Sequence, residues 1–209
     1  MKNPSNAVAI FDKFANLYEQ KYMDVSLYHE MLDIFCGSMT IPNAKILELA
    51  CGPGNVTKYL LEKRPDFKIL GTDLAPNMIE LAKKNNPEAE FQILDCRDIL
   101  QLNSKYDAIV CSFCLPYLSK EETIKLIFDA TEILNPEGLL YLSTMEDDYE
   151  NSKIVTGSTG DSMQQYFYTG EFLQSVLEKA GFRVMQLHRQ EFPTQDESSV
   201  TDLIVIARK

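Results

Sequence analysis

The sequence predicts an α/β protein with a doubly wound, mostly parallel β-sheet and helices on both faces. Short apolar runs that suit strands buried on both faces alternate with segments of helical periodicity, which is typical of a parallel sheet. A length of 209 residues suits a single domain. The apolar runs are residues 45–50, 68–73, 91–94, 106–111, 138–143 and 203–207.

Residues 1–42, which precede the first apolar run, are predicted to form an N-terminal helical cap. Apolar side chains recur at helical spacing over residues 11–18, and a second short helix over 27–35 should end near Gly37. Residues 43–209 are then predicted to form the sheet, with both parts in a single domain overall.

Helical segments are predicted between the runs, at residues 56–63, 76–84, 121–134 and 171–180. Pro76 is well placed near a helix start, and Gly181 near a helix end. Residues 145–168, after the fifth run, do not fit the alternation. Plain connections of this length are uncommon in compact domains unless they are functional or disordered. We expect a lid or cap insertion over an active site, with a disordered surface loop as the alternative.

Charge and hydropathy restrict the partners. The net charge is -11 and no basic cluster is present, so no nucleic-acid partner is expected. No window has the ~18 consecutive apolar residues of a membrane helix, and the first residues do not resemble a signal peptide. We therefore expect a cytoplasmic protein with no membrane partner, as a monomer or a homodimer.

The cysteines do not predict a metal site or a disulfide framework. Their number, five, is odd, and their neighbourhoods are apolar. Cys111 and Cys114 have the spacing of a zinc-ligand pair, but a structural zinc site normally needs two more ligands. The two histidines, His29 and His188, are scattered without such spacing.

A glycine turn follows the first apolar run and carries the chemistry. Gly52 and Gly54 allow the backbone to approach a ligand closely, and the next helix presents free N–H groups. Asp73, 21 residues after Gly52, ends the second run, where a carboxylate can accept two hydrogen bonds from a ribose diol. The pattern predicts a nucleoside site. A dinucleotide is disfavoured because Thr57 replaces the third small residue of that fingerprint.

These features resemble the class I, Rossmann-like S-adenosylmethionine-dependent methyltransferases, whose fold implies a seven-stranded sheet. The resemblance runs from about Lys45 to the C-terminus. Five ordered motifs carry it, together with residues 179–182, which resemble the turn before the sixth strand. The motifs lie at residues 46–54, 72–78, 94–98, 106–112 and 134–140.

The resemblance implies S-adenosylmethionine as cofactor, S-adenosylhomocysteine as product, and a role for each matching residue. Glycines bind near the methionine part, an acid holds the ribose, apolar side chains pack on the adenine, and an N-terminal aromatic closes over the cofactor. Glu48 is expected either to touch the cofactor or to structure the turn. The implied cofactor-binding residues are Tyr18, Glu48, Ala50, Gly52, Gly54, Asp73, Leu74, Met78, Asp95, Cys96, Ser112 and Phe113.

The acceptor is expected to be a small molecule, because the appended elements are small. Methyl transfer from a sulfonium is an in-line displacement that mainly needs positioning, so no catalytic residue is assigned. His29 is a candidate general base, with an exposed surface residue as the alternative. Candidate acceptor-binding residues are Tyr22, His29, Tyr117, Tyr166 and Tyr168, with Tyr18 beside them.

Three other functions remain open from the sequence. One is a protein or RNA methyltransferase, which a basic groove beside the pocket would favour. A second is a non-catalytic protein that binds the cofactor. The third, an NAD-linked dehydrogenase, is disfavoured by the missing third glycine of the turn.

Overall fold

A computed structural model describes residues 5–157, 160–193 and 199–209. Its main sheet has seven strands in the order β3-β2-β1-β4-β5-β9-β8, and this confirms the predicted mostly parallel sheet. Strands β1 to β5 pair in parallel, whereas β9 is antiparallel to both β5 and β8. The strands are β1 (Lys45–Leu49), β2 (Lys68–Asp73), β3 (Glu90–Ile93), β4 (Tyr106–Ser112), β5 (Leu134–Met145), β8 (Arg183–Pro193) and β9 (Ser199–Arg208), and a separate hairpin contains β6 (Lys153–Thr156) and β7 (Ser162–Gln165).

Helices cover both faces of the sheet. The alternation along β1 shows the division, because Ile46 packs into the core beneath α3 and α4 while Leu47 packs into the core beneath α6 and α7. The helices are α1 (Ser5–Lys13), α2 (Ala15–Tyr22), α3 (His29–Ser38), α4 (Asn55–Lys63), α5 (Pro76–Asn85), α6 (Lys120–Ile133) and α7 (Gly170–Lys179).

Local sequence signals explain where several helices begin. Pro76 opens α5, as predicted. At α6 the Ser119 side chain accepts from the Glu122 amide and the Glu122 carboxylate accepts from the Ser119 amide, which satisfies two free donors of the first turn. Thr169 caps α7 by accepting from the Phe172 amide. These starts fix the helices that flank the carboxyl ends of the strands.

Three predictions about elements need correction. The N-terminal helix is two helices, broken at Phe14, whose φ of -110° and ψ of 21° are not helical. The next helix begins at His29, and Leu27 lies in a short 3-10 turn before it. Strand β3 is not buried on both faces, because it lies at the sheet edge and Ile93 is 56% exposed.

The insertion after β5 is a 3-10 turn at Tyr149–Asn151 followed by the β6–β7 hairpin. Lys13 of α1 forms an ion pair with Asp161 at 3.0 Å, and the Tyr166 amide donates to the Pro116 carbonyl at 2.8 Å. The hairpin thus joins α1 to the segment after β4. Residues 158–159 of the predicted insertion, like residues 1–4 of the predicted cap, lie outside the described residues.

Within the described ranges, no helix combines the length and the apolar character needed to cross a membrane. In the same part of the chain, no three His, Cys, Asp or Glu side chains are grouped so that they could hold a metal ion.

Candidate active site

The glycine turn lies at the point where the strand order reverses between β1 and β4, which is where open α/β sheets bind ligands. Ala50, Gly52 and Gly54 all have positive φ, at 50°, 53° and 81°. The Cys51 amide donates to the Thr72 carbonyl at 2.9 Å and so ties the start of the turn to β2. The left-handed backbone turns the Gly52 amide toward the end of β2.

The Asp73 carboxylate accepts a hydrogen bond from the Gly52 amide. Its Oδ2 accepts from Gly52 N at 2.9 Å and its Oδ1 accepts from Ala75 N at 2.8 Å. Burial raises the pKa of the Asp73 carboxyl, and these backbone hydrogen bonds oppose the shift only in part. Each carboxylate oxygen keeps a further lone pair, so the group can still accept from a vicinal diol.

One pocket surrounds this turn, with about 830 Å³ of free space including its open mouth. It extends from the ends of β1 and β2 to the segments after β3 and β4, beneath α1 and α2. The structure brings together most of the predicted cofactor residues and one predicted acceptor residue along its wall. They are Tyr18, Ala50, Gly52, Asp73, Leu74, Met78, Asp95, Cys96, Ser112, Phe113 and Tyr117.

The pocket fits the adenosyl part of the implied cofactor. A Cβ at Gly52 would point at Tyr18 Cε1 from 3.7 Å, so the missing side chain keeps the space between turn and ring open. Leu74 and Met78 supply apolar wall beside Asp73. The Asp73 carboxylate can bind the ribose hydroxyls, and the neighbouring apolar wall can pack on the adenine.

Helix α1 supplies wall residues that the sequence did not identify. Phe11 stands edge-on to Tyr18 at 5.8 Å and to Tyr117 at 5.0 Å between ring centroids. The helical spacing of Phe11 was visible, but nothing in it showed which face meets the sheet. The other unpredicted wall residues are Ala7, Val8, Leu94, Arg97, Cys114 and Leu118.

The end of the pocket near β3 is more polar than expected. Arg97 Nε donates to Asp95 Oδ1 at 2.8 Å, and Arg97 Nη1 pairs with Glu122 at 2.9 Å. Burial alone would raise the pKa of Asp95, but the hydrogen bonds from Arg97 outweigh it and lower the pKa. Asp95 is therefore a charged carboxylate whose oxygens are already held by Arg97.

Glu48 and Gly54 do not line the pocket. Glu48, only 1% exposed, accepts a hydrogen bond from the Thr57 hydroxyl inside the start of α4, so it structures the turn. Burial raises its pKa to about 8, which leaves it protonated at neutral pH. A Cβ at Gly54 would meet Asn86 Nδ2 at 2.3 Å, so this glycine allows α4 and α5 to approach.

Two predicted acceptor residues on the N-terminal segment lie behind the wall. The Tyr22 ring packs on the Tyr18 ring at 4.6 Å and supports it. His29 stacks on Tyr59 at 4.1 Å, and Tyr59 donates to Asp33 on the outer side of α3. The general-base hypothesis for His29 therefore has no support from its position.

Tyr166 and Tyr168 also lie away from the pocket wall. Tyr168 is 1% exposed, and its hydroxyl donates to the Leu118 carbonyl and accepts from Thr123. Tyr166 stacks on Tyr149 at 5.8 Å beside it. Both rings belong to the packing between α6, α7 and the insertion, because the chain turns inward before α7 begins.

Beyond the pocket wall at Phe113 lies a pair of residues, Tyr28 and Asp202, that the sequence did not identify. Phe113 has a φ of 53°, and its amide is 3.1 Å from the Ser143 hydroxyl. The Tyr28 ring packs on the Phe113 ring at 5.3 Å, and the Tyr28 hydroxyl donates to Asp202 Oδ2 at 2.7 Å. Burial raises the pKa of Asp202 to about 6, against the hydrogen bond from Tyr28.

Comparison with known proteins finds the same domain and the same fold in methyltransferases. Residues 46–138 match a family model described as a methyltransferase domain. The chain has the fold of the class I, Rossmann-like S-adenosylmethionine-dependent methyltransferases, and the match to the methyltransferase domain covers less than half of its length.

Particular relatives are similar over most of the chain. A malonyl-[acyl-carrier protein] O-methyltransferase of Priestia megaterium is 30% identical over 184 residues, which are 81% of this chain and 65% of that protein. A protein of the same name from Acetivibrio thermocellus is 32% identical over 136 residues, 64% of this chain and 44% of its own length. The chain thus spans less than two thirds of either relative.

A solved structure with the same fold covers the whole chain. It is the 1,6-didemethyltoxoflavin-N1-methyltransferase of Burkholderia thailandensis, with 1,6-didemethyltoxoflavin and S-adenosylhomocysteine bound. The TM-score is 0.75 at 18% identity, over 100% of this chain and 91% of that one.

Proposed function

We propose that this chain transfers a methyl group from S-adenosylmethionine to a small-molecule acceptor. The observation that carries the proposal is the pocket in which the Gly52 turn and the Asp73 carboxylate meet at 2.9 Å, at the reversal of strand order. The family match over residues 46–138 supports the same cofactor.

Each wall of the pocket has a part in this proposal. Asp73 accepts hydrogen bonds from the ribose diol, and Leu74 and Met78 pack on the adenine. Tyr18 covers the methionine part from above Gly52. When bound, the cofactor supplies an activated methyl group on a sulfonium, so the protein's task is to position the acceptor and exclude water.

Two features support a small acceptor, and the names of similar proteins include both a small molecule and tRNA. Helix α1 covers the pocket through Phe11, which leaves a confined space beside Phe113 and Tyr117. The net charge of -11 is unfavourable for nucleic acid. Among the similar proteins, the didemethyltoxoflavin methyltransferase is named for a small molecule, whereas a Schizosaccharomyces pombe protein that is 24% identical over 86% of this chain is named a tRNA N(3)-methylcytidine methyltransferase.

The test is a transfer assay with methyl-labelled S-adenosylmethionine on a cell extract separated into small-molecule, protein and RNA fractions. We expect label in the small-molecule fraction with the wild type and with Glu80→Gln, an exposed change on α5, and a strong loss with Asp73→Asn. Label in the protein or RNA fraction would support a macromolecular acceptor. Tight cofactor binding with no labelled product would support a non-catalytic binder.

A further inference from the structure

The carboxyl edge of the sheet holds a buried acid that the nucleoside site does not use. Asp202 is 3% exposed, and it lies opposite Met145 where β9 pairs with the last residue of β5. Asp202 has the same strand parity as Ile204 and Ile206, which face the core beneath α3. It therefore lies on the same face as Tyr28, just beyond the last buried layer.

Asp202 is only half satisfied. The Tyr28 hydroxyl occupies Oδ2, and within the described ranges no hydrogen bond reaches Oδ1 and no cation forms an ion pair with the carboxylate. No described side-chain oxygen is both fully buried and unpartnered, so Oδ1 keeps access to the space outside. Buried carboxylates are normally paired, and Oδ1 has the lone pairs to accept a hydrogen bond from a bound molecule.

The pair is connected to the pocket through an aromatic wall. Tyr28 packs on Phe113 at 5.3 Å, and Phe113 lines the pocket together with Tyr117. Tyr28 and Asp202 are not among the residues that line the pocket, so a planar ring bound there would reach them by extending past Phe113. Aromatic faces and a carboxylate both favour a cationic or N–H-bearing group.

We propose that Tyr28 and Asp202 form the polar end of the acceptor site, and that the acceptor is a planar molecule with an N–H or protonated nitrogen bound by Asp202 Oδ1. Tyr28 holds the carboxylate in place and, through its ring, sets the position of Phe113. The proposal rests on the proposed function, since it assigns the acceptor side of the same pocket.

Three probes with one indole ring test it: tryptamine, indole-3-ethanol and indole-3-acetate. Their binding is measured by calorimetry, with and without saturating S-adenosylhomocysteine. We expect tryptamine to bind about tenfold or more tightly than indole-3-acetate, since a charge-assisted hydrogen bond replaces a repulsion. Asp202→Asn should remove that preference and leave the affinity for indole-3-ethanol and for S-adenosylhomocysteine unchanged.

Asp148→Asn is the matched control, because it removes an exposed carboxylate near the same edge and should retain the preference. If the wild type binds tryptamine and indole-3-acetate equally well, the proposal is wrong, and this result does not depend on whether Asp202→Asn folds. An unchanged preference in a folded Asp202→Asn also overturns it. Amine binding that depends on Asp202, without any binding of S-adenosylhomocysteine, would keep this site and refute the proposed function.

Discussion

The Gly52 amide donates a hydrogen bond to Asp73 Oδ2 over 2.9 Å, and both residues line the same pocket. The contact joins the turn after β1 to the end of β2. It explains why a carboxylate and a glycine with φ of 53° occur together here, because each fixes the other beside the space for a nucleoside.

Asp73→Asn should weaken S-adenosylmethionine binding by about tenfold or more, because an amide accepts with only one oxygen and loses the charge-assisted bonds to the diol. Titration calorimetry measures this directly. Glu80→Gln, whose exposed carboxylate pairs only with Lys83 within the described residues, should bind as the wild type does. Equal affinities for all three proteins would refute the role of Asp73.

Alanine substitutions at the two turn glycines should have different effects: Gly52→Ala should mainly weaken cofactor binding, and Gly54→Ala should mainly lower stability. Alanine at Gly52 meets only Tyr18, at 3.7 Å, so the fold loses about 1–2 kcal/mol from the left-handed backbone while the methyl group occupies cofactor space. Alanine at Gly54 would approach Asn86 and the Ala82 backbone, at 2.3 and 3.3 Å. Thermal unfolding should rank Gly54→Ala below Gly52→Ala, and a reversed order would contradict the packing role of Gly54.

Glu48 should make stability depend on pH. Its folded pKa of about 8 lies above the unfolded value of about 4.3, so the native state binds the proton more tightly. The resulting stability is fully present below the unfolded pKa and is lost as pH rises through about 8, at up to about 1.4 kcal/mol per pH unit.

Glu48→Gln should remove this dependence, because glutamine resembles the protonated acid and can still accept from Thr57. Urea unfolding at about pH 6, 7 and 8 compares the slopes, with Glu62→Gln on the exposed side of α4 as control. A variant that keeps the wild-type slope would show that Glu48 is ionised in the folded protein.

Tyr168→Phe should affect stability and leave transfer unchanged. Removing the hydroxyl leaves the buried Leu118 carbonyl without that donor, at a cost of about 1–3 kcal/mol. Tyr166→Phe serves as a neighbouring control with little expected effect. Calorimetric unfolding and transfer kinetics are measured on the same variants. A folded Tyr168→Phe protein with an altered KM for the acceptor would show that Tyr168 contacts the acceptor.

The strands that could be predicted from sequence are those whose buried residues stand next to one another in the chain. Strands β1, β2 and β4 lie in apolar runs; Gly52 comes just after the first of these runs and Asp73 ends the second. Strand β8 has no apolar run, since it is an edge strand with polar side chains such as Arg189 and Gln190, and only the resemblance of residues 179–182 to the turn before the sixth strand predicted it.

The N-terminal segment shows why the rest of the site was less predictable. The sequence identified Tyr18, but the same periodicity did not show that Phe11 joins it or that Tyr22 lies behind it. The Tyr28–Asp202 pair joins residues 174 positions apart, so no local pattern contains it. Such contacts depend on how α1 to α3 pack on the finished sheet.

A crystal structure of the chain with S-adenosylhomocysteine tests the central assignment most directly. We predict density in this pocket with the ribose diol on Asp73, the adenine between Leu74 and Met78, the amino-acid part at Gly52 under Tyr18, and the sulfur toward Phe113. A nucleoside bound away from Asp73, or a pocket that stays empty at saturating ligand, would contradict it.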